Sequence, residues 1–262
     1  MAVPNQLLDR MSIPLIFILL VAVGLLIYEG GFRIGRWYQK RTPAEKEGAT
    51  GMMVGSLLGL LALLLAFTVG MASDRFDARR KLNVDEANTI GTTYLRAGYL
   101  DEPYHTTIRD LLREYAPLQV FSQNIEVTQA NLERSRELLN QLWQQAEALA
   151  RQNPESEMIA LFIESLNEMI DTHETRMVAS IYARVPETIL YVLIIGSILT
   201  VGMIGYNSGL QERRSLTGAV VLVVIMAVVI TLIIDLDRPR DGLLVVSQQS
   251  YIDLQEAMAA PE

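Results

Sequence analysis

The sequence predicts an all-α protein in which four transmembrane helices carry a helical-bundle insert, outside the membrane, between spans two and three. Half of the 262 residues are hydrophobic, and only 20% are charged, below the quarter that is typical of soluble domains. Four stretches contain no Asp, Glu, Lys or Arg: 11–28, 48–73, 188–211 and 215–234. A bilayer core needs about 20 apolar residues of helix, and four such runs in one chain indicate a membrane protein.

These runs divide the chain into four segments. Residues 1–72 hold spans one and two with a basic connector, 73–184 form the extramembrane helical domain, 185–236 hold spans three and four, and 237–262 form an extramembrane C-terminal tail. The net charge of the chain is −8. The insert is acidic. Because neutralising the phosphates of a nucleic acid requires a basic face, we expect no nucleic acid among the partners of the protein. The four apolar runs make the lipid bilayer one of its partners.

Span one is predicted from about Ser12 to Tyr28. Asp9 and Arg10 precede it, and no small-residue cleavage site follows, so it is interpreted as a retained span and not as a signal peptide. A polar connector, Glu29 to Glu47, is expected to follow and to be broken at Pro43.

Span two is predicted from Gly51 to Ala72. Gly51, Gly55 and Gly59 place a small residue on one face at each turn, which in lipid lets two helix backbones approach closely. Packing within one chain is the favoured interpretation, and contact between subunits is the alternative. Because no Gly or Pro interrupts 73–89, the helix is expected to continue out of the membrane.

Three further helices are predicted in the insert: Tyr104 to Ser122, bent or ended by Pro117, Val127 to Gln152, and one that begins near Pro154. The last two carry apolar stripes that resemble coiled-coil seams. The stripes comprise Leu132, Leu139, Leu142, Ala146 and Leu149 with Trp143 beside them, and Met158, Phe162, Leu166, Met169, His173 and Met177. The pattern allows the last helix to run on through Val185 and Pro186 into span three, with a kink at the proline.

Span three is predicted to end around 205–209, and span four to cover Leu216 to Ile234. The β-branched residues of span four do not favour a strand there, because backbone groups in lipid must be satisfied within the segment. An even number of spans places both termini and the insert on one side. Near the span ends, seven Lys and Arg residues lie on the two short connectors and nine lie on the side of the termini and the insert. The positive-inside rule therefore does not decide which side faces the cytoplasm.

The segment after span two contains the first candidate site. At helical spacing, Arg75, Arg79, Asn83 and Glu86 share one face. A carboxylate there is expected to be partly buried and to pair with an arginine, for instance from another helix. A structural ion pair is the favoured interpretation, and a charged lining at a pore mouth or ligand site is the alternative.

The tail after span four holds three carboxylates, Asp235, Asp237 and Asp241. Oxygen ligands of this kind could hold a hard cation, but caps at the membrane interface are favoured. His173 is expected to be a packed core residue. Glu86 with His173 would be a candidate acid–base pair, but nothing in the sequence brings the two together. Because the chain has no cysteine and no catalytic or cofactor motif, it is predicted not to be an enzyme, with neither cofactor nor metal.

Residues 75–96 and the Asp-Arg-Pro-x-x-Gly motif of the tail together resemble the bestrophin-like family of bacterial membrane proteins, which is distantly related to bestrophin chloride channels. The resemblance carries over ten positions of unassigned role: Arg75, Arg79, Arg80, Glu86, Asn88, Arg96, Asp237, Arg238, Pro239 and Gly242. It implies a homo-oligomeric anion channel with a cytoplasmic insert, in the bacterial inner membrane. Arg240 replaces the usual aromatic residue of the motif, and span two lacks an evident aromatic constriction.

Two functions follow as hypotheses. The first is a bestrophin-like homo-oligomeric ion channel for small anions, with its pore along span two and basic residues at its mouth. The alternative is a non-conducting, membrane-anchored helical scaffold or partner-binding module, which the seam-like stripes favour equally.

Overall fold

A computed structural model of the chain describes residues 11–41, 47–122, 124–182, 184–212, 214–238 and 242–260. The described residues form eight helices: α1 Ile13–Arg41, α2 Glu47–Ala97, α3 Tyr104–Leu118, α4 Ile125–Gln152, α5 Glu157–Tyr182, α6 Glu187–Leu210, α7 Leu216–Asp237 and α8 Gln249–Ala259. Helices α1, α2, α6 and α7 are long and apolar enough to cross a membrane, and the predicted fold class is confirmed.

The chain divides into two compact units. The membrane unit comprises Met1–Arg75 and Arg184–Leu244, and the insert unit comprises Phe76–Ala183 and Val245–Glu262. Helix α2 is one continuous helix of 51 residues that contributes to both units, as the lack of helix breakers after span two predicts. The C-terminal tail, for which no helix is predicted, forms α8, and α8 belongs to the insert unit.

The membrane unit is held together by close contact between α1 and α6. A Cβ added at Gly31 would collide with the backbone oxygen of Gly202, and one added at Gly205 would collide with that of Tyr28. Glycines therefore bring the two backbones together, which is a common way for helices to associate in lipid.

Two expectations, one for α1 and one for α2, are corrected by the structure. Helix α1 continues to Arg41, so the polar connector predicted from Glu29 is helical over at least its first 13 residues, because α6 packs along it as far as Gly35. Pro43 lies outside the described residues. The packing within one chain that was predicted for Gly51, Gly55 and Gly59 is wrong, since a Cβ on any of them would meet no atom within 4 Å.

The insert unit has an apolar core to which α2, α3, α4, α5 and α8 contribute. The largest fully buried side chains in this core belong to Ile90, Ile108, Leu112, Tyr115, Leu138, Leu142, Phe162, Leu166, Met169 and Tyr251. The predicted stripes supply the seam between α4 and α5, although Trp143 and Met158 at its edge are exposed. Helix α3 ends at Leu118, directly after Pro117.

The continuous helix expected from the insert into span three is not observed. Helix α5 ends at Tyr182, and α6 begins at Glu187 with Pro186 as its N-cap residue. A residue that precedes proline is disfavoured in helical conformation, so Val185 leaves the helix, and its N–H group binds a carboxylate of the tail instead.

Candidate functional site

Helix α2 separates its side chains into two faces after it leaves the predicted span. Arg79, Asn83 and Glu86 are buried, as their spacing predicts, whereas Arg80 and Asn88 are exposed. The polar residues of the buried face lie on the same helix face as Ile90, which belongs to the core of the insert unit.

The Glu86 carboxylate is the centre of a buried polar network. Its side chain has no exposed surface. Oε1 lies 2.7 Å from Nδ1 of His173, and Oε2 accepts a hydrogen bond from the Tyr251 hydroxyl and pairs with Nε of Arg176. Helices α5 and α8 thus supply three partners to one carboxylate, which satisfies both of its oxygens.

Further hydrogen bonds connect Arg176 to Gln119 and Ser135. Nη2 of Arg176 donates to Oε1 of Gln119 at 2.9 Å, and Nε2 of Gln119 donates to Oγ of Ser135 at 3.1 Å. The guanidinium also lies 5.2 Å from the ring centroid of Phe121. The network therefore joins α2, α3, α4, α5 and α8 through polar contacts in the interior of the insert unit.

The electrostatics fix the protonation states of the carboxylate and of two tyrosines, Tyr251 in the network and Tyr115, whose ring lies 6.0 Å from that of His173. Burial by itself would raise the pKa of Glu86, but the hydrogen bond from His173 and the charge of Arg176 outweigh it and hold the pKa below its usual value. Burial raises the pKa of Tyr115 and of Tyr251 well above 10. At neutral pH the carboxylate is ionised and both phenols keep their protons.

The tail motif holds together the ends of three membrane helices. Asp237 accepts a hydrogen bond from the N–H of Val185 at 2.6 Å and pairs with Nε of Arg184 at 3.2 Å. Nη2 of Arg238 donates to the backbone oxygen of Met11 at 2.6 Å. The end of α7 is thereby connected to the chain before α6 and before α1.

Asp235 organises the turn that follows α7. Its carboxylate accepts the N–H groups of Leu243 and Leu244 at 2.8 and 3.0 Å. A Cβ on Gly242 would collide with this carboxylate, which explains the glycine. Asp235 and Asp237 both accept hydrogen bonds from backbone N–H groups near the end of α7, and the prediction that the tail carboxylates cap the span at the membrane interface stays a prediction. In the described part of the chain, no group of three potential ligands could hold a metal ion. The predicted positions Pro239, Arg240 and Asp241 lie outside the described residues.

The other predicted positions do not join one site. Arg75 is half-buried, and Arg96 donates to the backbone oxygen of Leu161 at 2.7 Å. Asn88 lines an open groove with Asp85 and Asp171. Sequence reasoning missed Arg176, Tyr251 and Gln119, since each is brought to Glu86 by tertiary packing that leaves no spacing signal.

The sequence matches the bestrophin-like domain over residues 16–251. The chain belongs to the bestrophin-like family. The match spans about nine-tenths of the protein, and four apolar helices accompany it, so this bestrophin-like protein is an integral membrane protein.

Solved structures agree with the family assignment in fold. A variant of a bacterial bestrophin homologue from Klebsiella pneumoniae is similar with a TM-score of 0.69 at 12% identity, covering 92% of this chain and 97% of that chain. Another structure of a bestrophin homologue from Klebsiella pneumoniae gives a TM-score of 0.67 at 12% identity, covering 94% and 97%. No protein of curated function matches the sequence.

The geometry of the Glu86 network favours a structural role over chemistry on a solute. A carboxylate, a histidine and a tyrosine in contact could transfer protons, but a group without exposed surface cannot meet a dissolved substrate or a permeating ion. Of the two interpretations offered for this segment, the buried ion pair agrees with the structure.

Proposed function

We propose that this bestrophin-like protein is a homo-oligomeric channel for small anions, with α2 of each subunit facing the pore. The observation that carries the proposal is that few residues of the membrane part of α2 are buried by other parts of the same chain. Within its most apolar window only 11% of the residues of α2 are buried, against 56% for α7. Helix α2 is the least buried of the four spans. We therefore propose that a neighbouring subunit packs against part of its exposed surface and that another part lines the pore.

One feature of the exposed surface of α2 supports an oligomer. Large apolar side chains are exposed on α2, for instance Phe67, as they are on α1, for instance Leu26, and these suit lipid chains. Helix α2 also carries Gly51, Gly55 and Gly59, with no atom of this chain within 4 Å of an added Cβ. Small residues allow another backbone to approach closely, so contact between subunits, the alternative that the sequence left open, is the one we propose.

The charges expected at the pore mouth need reassignment. Arg79 and Glu86 are buried, so we assign the cationic lining to the exposed Arg80 and Lys81 of α2, which lie one turn after the exposed Asp77. Cationic side chains at a pore entrance favour anions through their electrostatic field.

Ion flux from liposomes tests the proposal. Purified protein should release chloride faster than potassium, and Arg80→Gln with Lys81→Gln should reduce the preference for chloride. A matched control, Arg136→Gln with Arg151→Gln, removes two exposed charges from α4 and should leave selectivity unchanged. A folded oligomer that passes neither ion would contradict the channel.

The alternative is a non-conducting scaffold. It is favoured by the exposed side chains of Val84 and Leu95, on the part of α2 in the insert unit, and of Tyr99 in the turn after α2, which suit a protein partner. Absent flux together with an intact oligomer would support this function.

We also propose the bacterial inner membrane as the location, with the insert unit and both termini in the cytoplasm. Because the chain has no cysteine, single cysteines at Lys40 and Gln129 report sidedness. Gln129 should react only from the cytoplasmic side and Lys40 only from the opposite side. Labelling of both positions from one side would contradict the four-span topology.

A further inference from the structure

The C-terminal part of α1 combines positive charge with aromatic side chains. Residues 33–41 hold Arg33, Arg36, Lys40 and Arg41, together with Trp37 and Tyr38, and contain no carboxylate. We call the four cations of this segment and Trp37, together with Arg214, the basic collar.

The contact between α1 and α6 turns the collar outward. Phe32 and Gly35 are buried, and Gly35 meets the backbone of Tyr206. The side of α1 that faces α6 is therefore uncharged. All four cations of the segment are exposed, so the fold presents them together on the outside of the membrane unit.

The length of α1 places the collar at the level of the lipid headgroups. Its 29 residues measure about 43 Å at 1.5 Å per residue, whereas the hydrocarbon core is about 30 Å thick. Twenty residues from Ile13 reach Phe32, so the segment from Arg33 onward leaves the hydrocarbon. Trp37 and Tyr38 are exposed there, as is typical of residues at the membrane interface.

The charges of the collar are only partly neutralised within the chain. Glu29 binds Nε of Arg33 at 2.9 Å and Nη2 of Arg214 at 2.6 Å, and Glu212 lies in the turn just before Arg214. Among the described residues, no carboxylate forms an ion pair with the three remaining cations of the collar. These are Arg36, Lys40 and Arg41. Counting only side chains that the structure describes, the five cations of the collar against Glu29 and Glu212 leave a net charge of +3.

We propose that the basic collar binds the phosphate headgroups of anionic phospholipids. The guanidinium of Arg41 lies 4.1 Å from the ring centroid of Trp37, which holds it beside the aromatic ring at the interface. Arginine donors suit phosphate oxygens, and the exposed Leu26 on the same helix suits the acyl chains. The combination of cations, interfacial aromatic rings and exposed apolar residues selects a lipid over a phosphate dissolved in water. The proposal does not depend on ion conduction.

Lipid binding to the full-length protein in detergent tests this inference by native mass spectrometry. Phosphatidylglycerol should form adducts at lower concentration than phosphatidylcholine, and high salt should weaken the preference. A basic residue near an anionic surface contributes roughly fivefold in affinity, so Arg36→Gln with Arg41→Gln should weaken phosphatidylglycerol binding by about 25-fold. The control Arg136→Gln with Arg151→Gln, equal in residue type and number, should bind as the parent protein does.

Several outcomes would overturn the inference. These are equal binding of both lipids by the parent protein, equal losses in the two variants, and displacement of the lipid by millimolar inorganic phosphate, which would indicate a site for the free anion. The charge-preserving variant Arg36→Lys with Arg41→Lys should retain most of the preference. If the glutamine variant does not fold, the parent protein still tests the proposal, through its preference for phosphatidylglycerol over phosphatidylcholine at low and at high salt.

Discussion

The two units of this protein are held together by different means. In the membrane unit, α1 and α6 touch backbone to backbone through glycines. In the insert unit, the helices enclose an apolar core and a polar network in which Glu86 has no exposed surface. The difference reflects the solvent, because lipid chains are as apolar as the helices and packing must come from close fit, whereas in water the burial of apolar surface drives association.

A second lesson concerns charge. In the insert unit a carboxylate is tolerated in the core because His173, Arg176 and Tyr251 satisfy it. In the membrane unit the charges of Asp237 and Arg238 occur only where α7 ends, and they bind backbone groups of neighbouring segments. In both units a buried charge has its partners, as the cost of burying an unpaired ion requires.

The largest effect is expected from Glu86→Ala. Its removal leaves the buried Arg176 without its carboxylate, and breaking a buried pair in this way destabilises by about 3–5 kcal/mol. Thermal unfolding of the purified protein, followed by circular dichroism, should show a clearly lower Tm. The control Glu164→Ala removes a carboxylate whose side chain is 72% exposed and should change stability little. Equal changes in Tm for the two substitutions would refute the claim that the buried Glu86 network stabilises the insert unit.

A smaller effect is expected in the membrane unit from Gly205→Ala. The added Cβ would collide with the backbone oxygen of Tyr28, and overpacking of this kind costs about 1–3 kcal/mol. The Tm in detergent should fall. Gly30→Ala on α1 serves as the matched control, since nothing lies within 4 Å of the new Cβ. If Gly205→Ala unfolded no earlier than the parent protein, close backbone contact would not hold α1 to α6.

Tyr251→Phe should have a more modest effect on the insert unit. It removes one hydrogen bond to the ionised Glu86 and keeps the aromatic ring, and a bond to a charged group contributes about 1.5–3 kcal/mol. The Tm should fall by less than with Glu86→Ala, and the double variant should be less destabilised than the sum of the two. Strict additivity would mean that the two side chains act independently.

The smallest expected effect is the pH dependence of stability. The pKa of Glu86 is lower in the folded protein than its usual value of 4.5, so its contribution is fully present above about pH 4.5 and is lost as the pH falls through the folded value. The Tm measured from pH 7 to pH 3 should therefore fall less steeply in Glu86→Gln than in the parent protein. Parallel curves would show that other carboxylates control the acid response.

The sequence could predict much of the fold but little of the site. Residues 73–89 contain no helix breaker, which predicted the long α2, and the four-residue spacing of Arg79 and Asn83 predicted its buried face. The partners of Glu86 could not be predicted in the same way. Arg176 and Tyr251 lie 90 and 165 positions after Glu86 in the chain, and only the packing of α5 and α8 brings them to α2.

By itself the sequence determined which four segments are apolar enough to cross a membrane, because the absence of charge over about 20 residues is a local property of the chain. Tertiary structure decided which glycines touch another helix, which arginine pairs with Glu86, and why α5 stops before Pro186, where the N–H of Val185 binds Asp237. Each of these depends on contacts between residues far apart in the chain. Periodicity reports which face of a helix is apolar, but it carries no information about the helix that will cover that face.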